Sequence, residues 1–141
     1  DQGWNIEKKY IKDLGASHIS KDNYIKSIER SKLIICTYPE TTFSDCVAKD
    51  IPVILIYPDT FWELNDKMKD LYELLKKTKI IFHDPIELSK HIKQIWFDPL
   101  TWWKSTEVKN SINIFKEKAL NIDKNGVMIW SEFLKGYTIN A

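Results

Sequence analysis

The sequence predicts a three-layer α/β domain built on a mostly parallel sheet, and three observations carry that prediction. Leu33-Ile34-Ile35-Cys36 and Val53-Ile54-Leu55-Ile56-Tyr57 are short branched apolar runs without polar alternation, the pattern of strands covered on both faces. The segment between them, Thr37 to Lys49, is long enough to hold the crossover helix that adjacent parallel strands need. The same alternation then returns, with Lys79-Ile80-Ile81-Phe82 following a helical stripe and preceding Pro85, a residue suited to the first turn of a helix.

The elements follow in order. Asp1 to Lys12 carries Trp4, Ile6, Tyr10 and Ile11, either a leader or a helix that ends near Gly15. Ser17-His18-Ile19-Ser20 reads as a short edge strand, and Asp22 as the N-cap of a helix reaching Arg30, with Tyr24, Ile25 and Ile28 on one face. After the strand ending at Tyr57, Pro58-Asp59-Thr60 is a turn that caps a helix over residues 61–77. Leu64, Met68, Leu71 and Leu75 form that helix's apolar stripe. The helix opened by Pro85 holds Leu88, Ile92, Ile95 and Trp96, and Asp98-Pro99 interrupts it. Val108, Ile112, Phe115 and Ala119 mark another helical face. Gly126 marks a break before a last helix over 127–134, with Gly136 as its C-cap. No linker or internal repeat beyond the βα period divides the 141 residues, so one Rossmann-like domain is expected over 1–141.

Composition removes several function classes. Lys and Arg number 21 against 20 Asp and Glu, a formal charge of +1, so no global field favours nucleic acid or an anionic membrane. Cys36 and Cys46 are the only cysteines, and their spacing fits neither a zinc motif nor a disulfide framework. No apolar run approaches a membrane span and no signal peptide is present, so a soluble cytoplasmic domain with reduced thiols is expected. The four glycines are Gly3, Gly15, Gly126 and Gly136, none near a strand end, which excludes a P-loop and the dinucleotide fingerprint. No cofactor is implied. The lysines at 67, 69, 76, 77 and 79 alternate with acids at 63, 66, 70 and 73, the pattern of a solvated helix rather than a nucleic-acid surface.

Ligands of parallel sheets bind beyond the carboxyl ends of the strands, which directs attention to Thr37, Tyr38, Glu40, Thr41 and Thr42. A helix N-terminus attracts phosphate, and the Thr41 and Thr42 hydroxyls can complete a diphosphate cradle; the same residues can also simply cap the helix. Asp45, one turn on, suits a ribose diol, or is an acid favoured by the helix dipole. Glu40 would repel a phosphate, so it complements the dipole or faces a sugar. Trp62, beyond the next strand, is the stacking candidate for a base or sugar ring, with core packing as the alternative. His83, after the third strand, is the leading candidate acid or base, ahead of His18 and His91, with a turn or cap role as its alternative. Trp96, Phe97, Trp102 and Trp103 read as a packed brace between the last helices rather than a carbohydrate platform.

Beyond these physical readings, Thr37-Tyr38-Pro39-Glu40-Thr41-Thr42-Phe43-Ser44-Asp45, then Ile51-Pro52-Val53-Ile54-Leu55-Ile56-Tyr57 and Phe61-Trp62-Glu63-Leu64, resemble the carboxy-terminal half of GT-B-type transferases, and in particular a surface-polysaccharide transferase family. Phe82-His83-Asp84-Pro85, Ile95-Trp96-Phe97-Asp98 and Trp102-Trp103 extend the resemblance to roughly residues 20–120. Asp45 stands where that family usually has Glu, and the residue before Pro52 also departs from its pattern. The resemblance implies binding of a nucleotide sugar or related activated donor. It also implies a partner amino-terminal domain that would complete the cleft; a chain starting at Asp1 with an early βαβ unit reads as a fragment, inactive alone. The rival expectations are a nucleotide-sugar epimerase or phosphoglycerol-type transferase of the same architecture, and a non-catalytic flavodoxin-like interaction module.

Overall fold

The computed structural model describes residues 5–18, 20–61, 65–120 and 125–137. The chain divides into two compact units, Asp1–Ser31 and Lys32–Ala141.

In the first unit, α1 (Ile6–Leu14) ends as expected at Gly15, whose φ of 90° suits glycine and whose N–H returns to the Ile11 carbonyl. The edge strand expected at 17–20 is not formed. Ala16–His18 is a single 3-10 turn, and the Ser20 hydroxyl accepts from the Asp22 N–H at 3.2 Å, a local bond that bends the chain away from an extended path. α2 (Tyr24–Glu29) starts one residue later than expected, because Asn23 rather than Asp22 caps it, its side chain accepting from the Lys26 N–H at 3.0 Å. Asp22 instead pairs with Arg30 at the surface. Ile28 is buried whereas Tyr24 and Ile25 are exposed, the helix being too short to lay down a three-residue stripe.

The second unit holds the sheet. β1 (Ile34–Cys36), β2 (Val53–Ile56) and β3 (Ile81–Phe82) run parallel in the order β1-β2-β3, with Ile34 opposite Val53, Cys36 opposite Leu55, and Leu55 opposite Ile81. α3 (Thr41–Ala48) and α4 (Asp66–Lys77) are the two crossovers. Sequential strand order with right-handed crossovers sends both helices to one face. Val53, Leu55 and Ile81 point to that face and are at most 2% exposed.

α7 (Thr106–Phe115) packs over α4, and Phe115 meets Phe43 of α3 edge-on at 5.5 Å. The buried Ser111 hydroxyl sits 3.0 Å from that of Thr78 and ties α7 to the end of α4. On the opposite face, Ile54 and Phe82 pack against Leu88 and Ile95 of α5 (Pro85–Ile95), with Trp102 of α6 (Pro99–Trp103) at the border. Helices thus cover the sheet on both sides, a mixed α/β fold with a small parallel sheet, as the strand runs predict.

Both crossover helices close in the same way. After α3, the Asp50 N–H bonds to the Val47 carbonyl and the Ile51 N–H to Cys46; after α4, Lys79 bonds to Lys76 and Ile80 to Leu75. These are Schellman motifs, and each places a non-glycine residue in the left-handed region, Asp50 at φ 59° and Lys79 at φ 62°. The left-handed Lys79 is also why β3 begins at Ile81 and not at Lys79.

Other sequence expectations need correction. α4 begins at Asp66, not 61: Asn65 provides the cap, accepting from the Lys67 N–H at 3.0 Å, while Asp59–Phe61 form a separate 3-10 turn. Leu64 and Trp62 lie outside the described residues. Trp96 and Phe97 do not join the aromatic brace; the helix gives out there and leaves them 62% and 89% exposed. Trp102 and Trp103 do pack, with centroids 5.6 Å apart. Ala119 is exposed because the chain widens into a π-helical turn over Lys116–Leu120, which shifts the phase of the α7 stripe. α8 (Gly126–Tyr137) includes Gly136 as a helical residue rather than a cap. Among the described residues no helix is long and apolar enough to cross a membrane.

Candidate functional site

β1 delivers the chain at its carboxyl end to Thr37, and four residues later α3 begins. Glu40 is the N-cap, in an extended conformation, and its side chain makes no capping bond. Its carbonyl accepts from the Phe43 N–H at 3.1 Å and the Ser44 N–H at 3.4 Å, so the Thr41 and Thr42 N–H groups stand at the open start of the helix. Neither threonine is the cap: they occupy the first two helical positions, and Glu40 holds the N-cap position without a side-chain capping bond. Thr37, Tyr38, Glu40 and Thr41 are exposed, and Thr42 and Asp45 are half-buried on the same turn. The neighbouring thiols are poor nucleophiles. Burial pushes Cys36 up to about 11, with nearby Cys46 adding to the effect, and raises Cys46 as well.

β2 leads into the buried Tyr57, whose hydroxyl is pushed up to about 12, chiefly by desolvation. Its carbonyl holds the residue that follows β3. His83 Nδ1 lies 2.8 Å from the Tyr57 carbonyl oxygen, and the two rings meet edge-on at 4.9 Å. A carbonyl only accepts, so Nδ1 carries the proton in the neutral ring, leaving Nε2 with the lone pair. This fixed tautomer is what acid–base work at Nε2 requires. Asp84 is committed elsewhere, capping α5 through the Ile86 N–H at 2.7 Å. The Thr37–Asp45 group and His83 share one rim of the sheet, separated by the width of β2, about 10 Å between outer strands.

A cavity of about 780 Å³ lies along the outer edge of β3. His83 lines it, whereas Thr37, Tyr38, Glu40, Thr41, Thr42 and Asp45 do not. Asp59, Asp84 and Glu87 line it too, all just beyond strand ends or in the first turn of α5. At the start of β3 the lining is Lys76, Lys77 and Lys79, and α5 contributes Lys90, His91 and Gln94. Of the lysines that read as a solvated face, Lys76, Lys77 and Lys79 therefore line a cavity once α4 closes against β3, whereas Lys67 and Lys69 do not.

His91, which ranks below His83 as an acid–base candidate in the sequence, is a buried core group. It is 4% exposed, stacks on Phe82 at 5.5 Å and meets Trp102 edge-on at 5.1 Å; neither ring nitrogen has a hydrogen-bond partner. Burial lowers its pKa below the usual value, and Lys79 adds to this; Gln94 acts weakly the other way without reaching hydrogen-bond geometry. The signal was available, since His91 falls three residues after Leu88 and four before Ile95, on the apolar face of α5. Among the described residues no cluster of three or more His, Cys, Asp or Glu could hold a metal ion.

Comparison with known families bears on this arrangement. The model of the LIC12162 family transferases matches residues 1–134. The chain belongs to the LIC12162 transferase family. No curated protein and no solved structure matches it. Membership in the LIC12162 family supports a transferase-like role. Trp62 lies outside the described residues.

Proposed function

We propose that this chain binds the activated donor, a nucleotide sugar or a closely related diphosphate, in a glycosyltransferase-like reaction that helps build cell-surface polysaccharide. The observation that carries this reading is the start of α3, where Thr41 and Thr42 N–H groups and hydroxyls sit beyond the carboxyl end of a parallel strand with no side-chain cap in the way. Such a helix start favours a phosphate through its partial positive charge and its unpaired donors. As the bond to the donor's leaving diphosphate breaks, negative charge grows on the phosphate oxygens, and donors already in place stabilise it without reorganisation. Asp45, one turn further, accepts from a ribose diol; Thr37 and Tyr38 border the same opening. The GT-B resemblance supports this assignment, and on this reading the residues that activate the acceptor belong to a further domain of the enzyme.

The test is thermal unfolding of this chain with UDP-, GDP-, CDP- and CMP-sugars, repeated with Thr41→Ala/Thr42→Ala. A donor at a hundred times its dissociation constant adds about 2.7 kcal/mol to stability, and the double variant should lose that gain. No gain with any nucleotide would overturn the donor reading and favour the flavodoxin-like interaction module.

A further inference from the structure

The cavity beside β3 is distinct from the strand-end loop, and its lining is sorted by charge. His91 lines it, more than nine-tenths buried with both ring nitrogens unpartnered. One end holds Asp59, Asp84 and Glu87 with His83; the other holds Lys76, Lys77 and Lys79, and Lys90 stands one turn along α5 from Glu87. Two of these charges are already engaged. Lys76 pairs with Glu73 at 2.9 Å and Asp84 caps α5, which leaves Lys77, Lys79 and Lys90 to act at the basic end and Asp59 and Glu87 at the acidic end.

The sheet edge adds a further contact. The Leu55 N–H bonds to the Ile80 carbonyl and the Tyr57 N–H to the Phe82 carbonyl, so residues 80 and 82 turn their peptide groups toward β2 and Ile81 turns its own away, on the side of the cavity it lines.

A ligand matched to this lining is anionic at one end and rich in hydroxyls at the other. Lysine ammoniums recognise phosphate as point charges, while carboxylates and a histidine lone pair accept hydrogen bonds from hydroxyls. We propose that this cavity is a binding site for a small phosphorylated polyol. Its phosphate sits among Lys77, Lys79 and Lys90, and its hydroxyls reach toward Glu87, Asp59 and His83 Nε2. The proposal goes beyond the transferase reading, because it assigns a second ligand to a separate cavity, and the site stands on its own lining whether or not a donor binds at Thr41.

Titration of the protein with glycerol 3-phosphate, inorganic phosphate and glycerol, followed through its amide and histidine ring NMR signals, tests this. Saturable shifts around His83, His91 and Ile81 are expected with glycerol 3-phosphate, weaker ones with inorganic phosphate, and none with glycerol. Lys77→Ala/Lys90→Ala, both at exposed positions, should weaken the two phosphates by about tenfold or more, the loss of a charge-assisted contact. Glu87→Gln should weaken glycerol 3-phosphate and leave inorganic phosphate unchanged, which separates the polyol end from the phosphate end. Thr41→Ala/Thr42→Ala should change neither. The absence of saturable shifts at millimolar ligand, or shifts indifferent to Lys77→Ala/Lys90→Ala, would overturn the proposal. Shifts abolished by Thr41→Ala/Thr42→Ala would also overturn it, by locating the phosphate at the strand-end loop and leaving the donor reading intact.

Discussion

Trp103 donates its indole Nε1–H to the carboxylate of Asp50, 3.2 Å away, joining α6 to the junction between α3 and β2. Trp103 is 1% exposed, and a buried indole N–H needs an acceptor. Asp50 meets that need from a left-handed backbone position that asparagine and aspartate tolerate better than other non-glycine residues. Asp50→Asn keeps both the acceptor and the backbone tolerance, and is expected to lie within about 0.5 kcal/mol of the parent. Asp50→Ala strands the indole and is expected to cost about 1–3 kcal/mol, read as a drop in the urea midpoint at unchanged slope.

Lys79 occupies the equivalent position after α4 but gives its left-handed conformation no such return. Lys79→Gly should therefore stabilise the fold by up to about 1 kcal/mol in the same urea assay. Asp50→Gly relieves the same backbone strain yet loses the acceptor for Trp103, so it should fall below Lys79→Gly. Reversal of that order would remove the structural role assigned to the Trp103–Asp50 bond.

His91 makes stability depend on pH in one direction. Its pKa is lowered in the folded state, so the unfolded chain binds the proton more readily. The stabilisation is complete above the ordinary value of 6.5 and declines as pH falls through it toward the lower folded value. Urea unfolding between pH 7.5 and 5 should show this loss, with a slope no steeper than about 1.4 kcal/mol per pH unit from this one group. His91→Phe preserves a ring between Phe82 and Trp102 and should flatten that part of the profile. An unchanged profile would mean that other groups govern the acid limb.

The two thiols should be slow to react in the native protein. Cys36 and Cys46 are buried and their pKa values raised, so little thiolate exists near neutral pH. Iodoacetamide at pH 7.5 is expected to label them at the rate of unfolding, rising sharply in urea. Fast native labelling would show that the β1–α3 junction opens locally.

The strands were legible because they are covered on both faces: only a buried strand tolerates a run such as Val53-Ile54-Leu55-Ile56, and the carboxyl end of the first such run, at Cys36, then locates the segment from Thr37 to Asp45. The three-layer arrangement and both crossover helices followed from the same runs. Local hydrogen bonding decided what pattern could not. Asn65 displaced Thr60 as the start of α4, Asn23 displaced Asp22, and the Ser20 bond to Asp22 prevented an edge strand. Trp96 continued the α5 stripe on paper, but the helix ends beneath it. The cavity was illegible for a different reason, since Lys77 comes from α4 and Glu87 and Lys90 from α5, and only the packing of α4 and α5 around β3 brings them to one cavity.

The order β1-β2-β3 means that each strand's partner is the strand made just before it. No strand has to wait for a distant strand, so the loop closed at each pairing step is one crossover long. A chain wired this way can add strands to its sheet as it emerges from the ribosome, β1 with β2 first and β3 after. α7 arrives last to seal the face that α3 and α4 have already laid down, which shortens the time during which bare apolar strands are open to association with other chains.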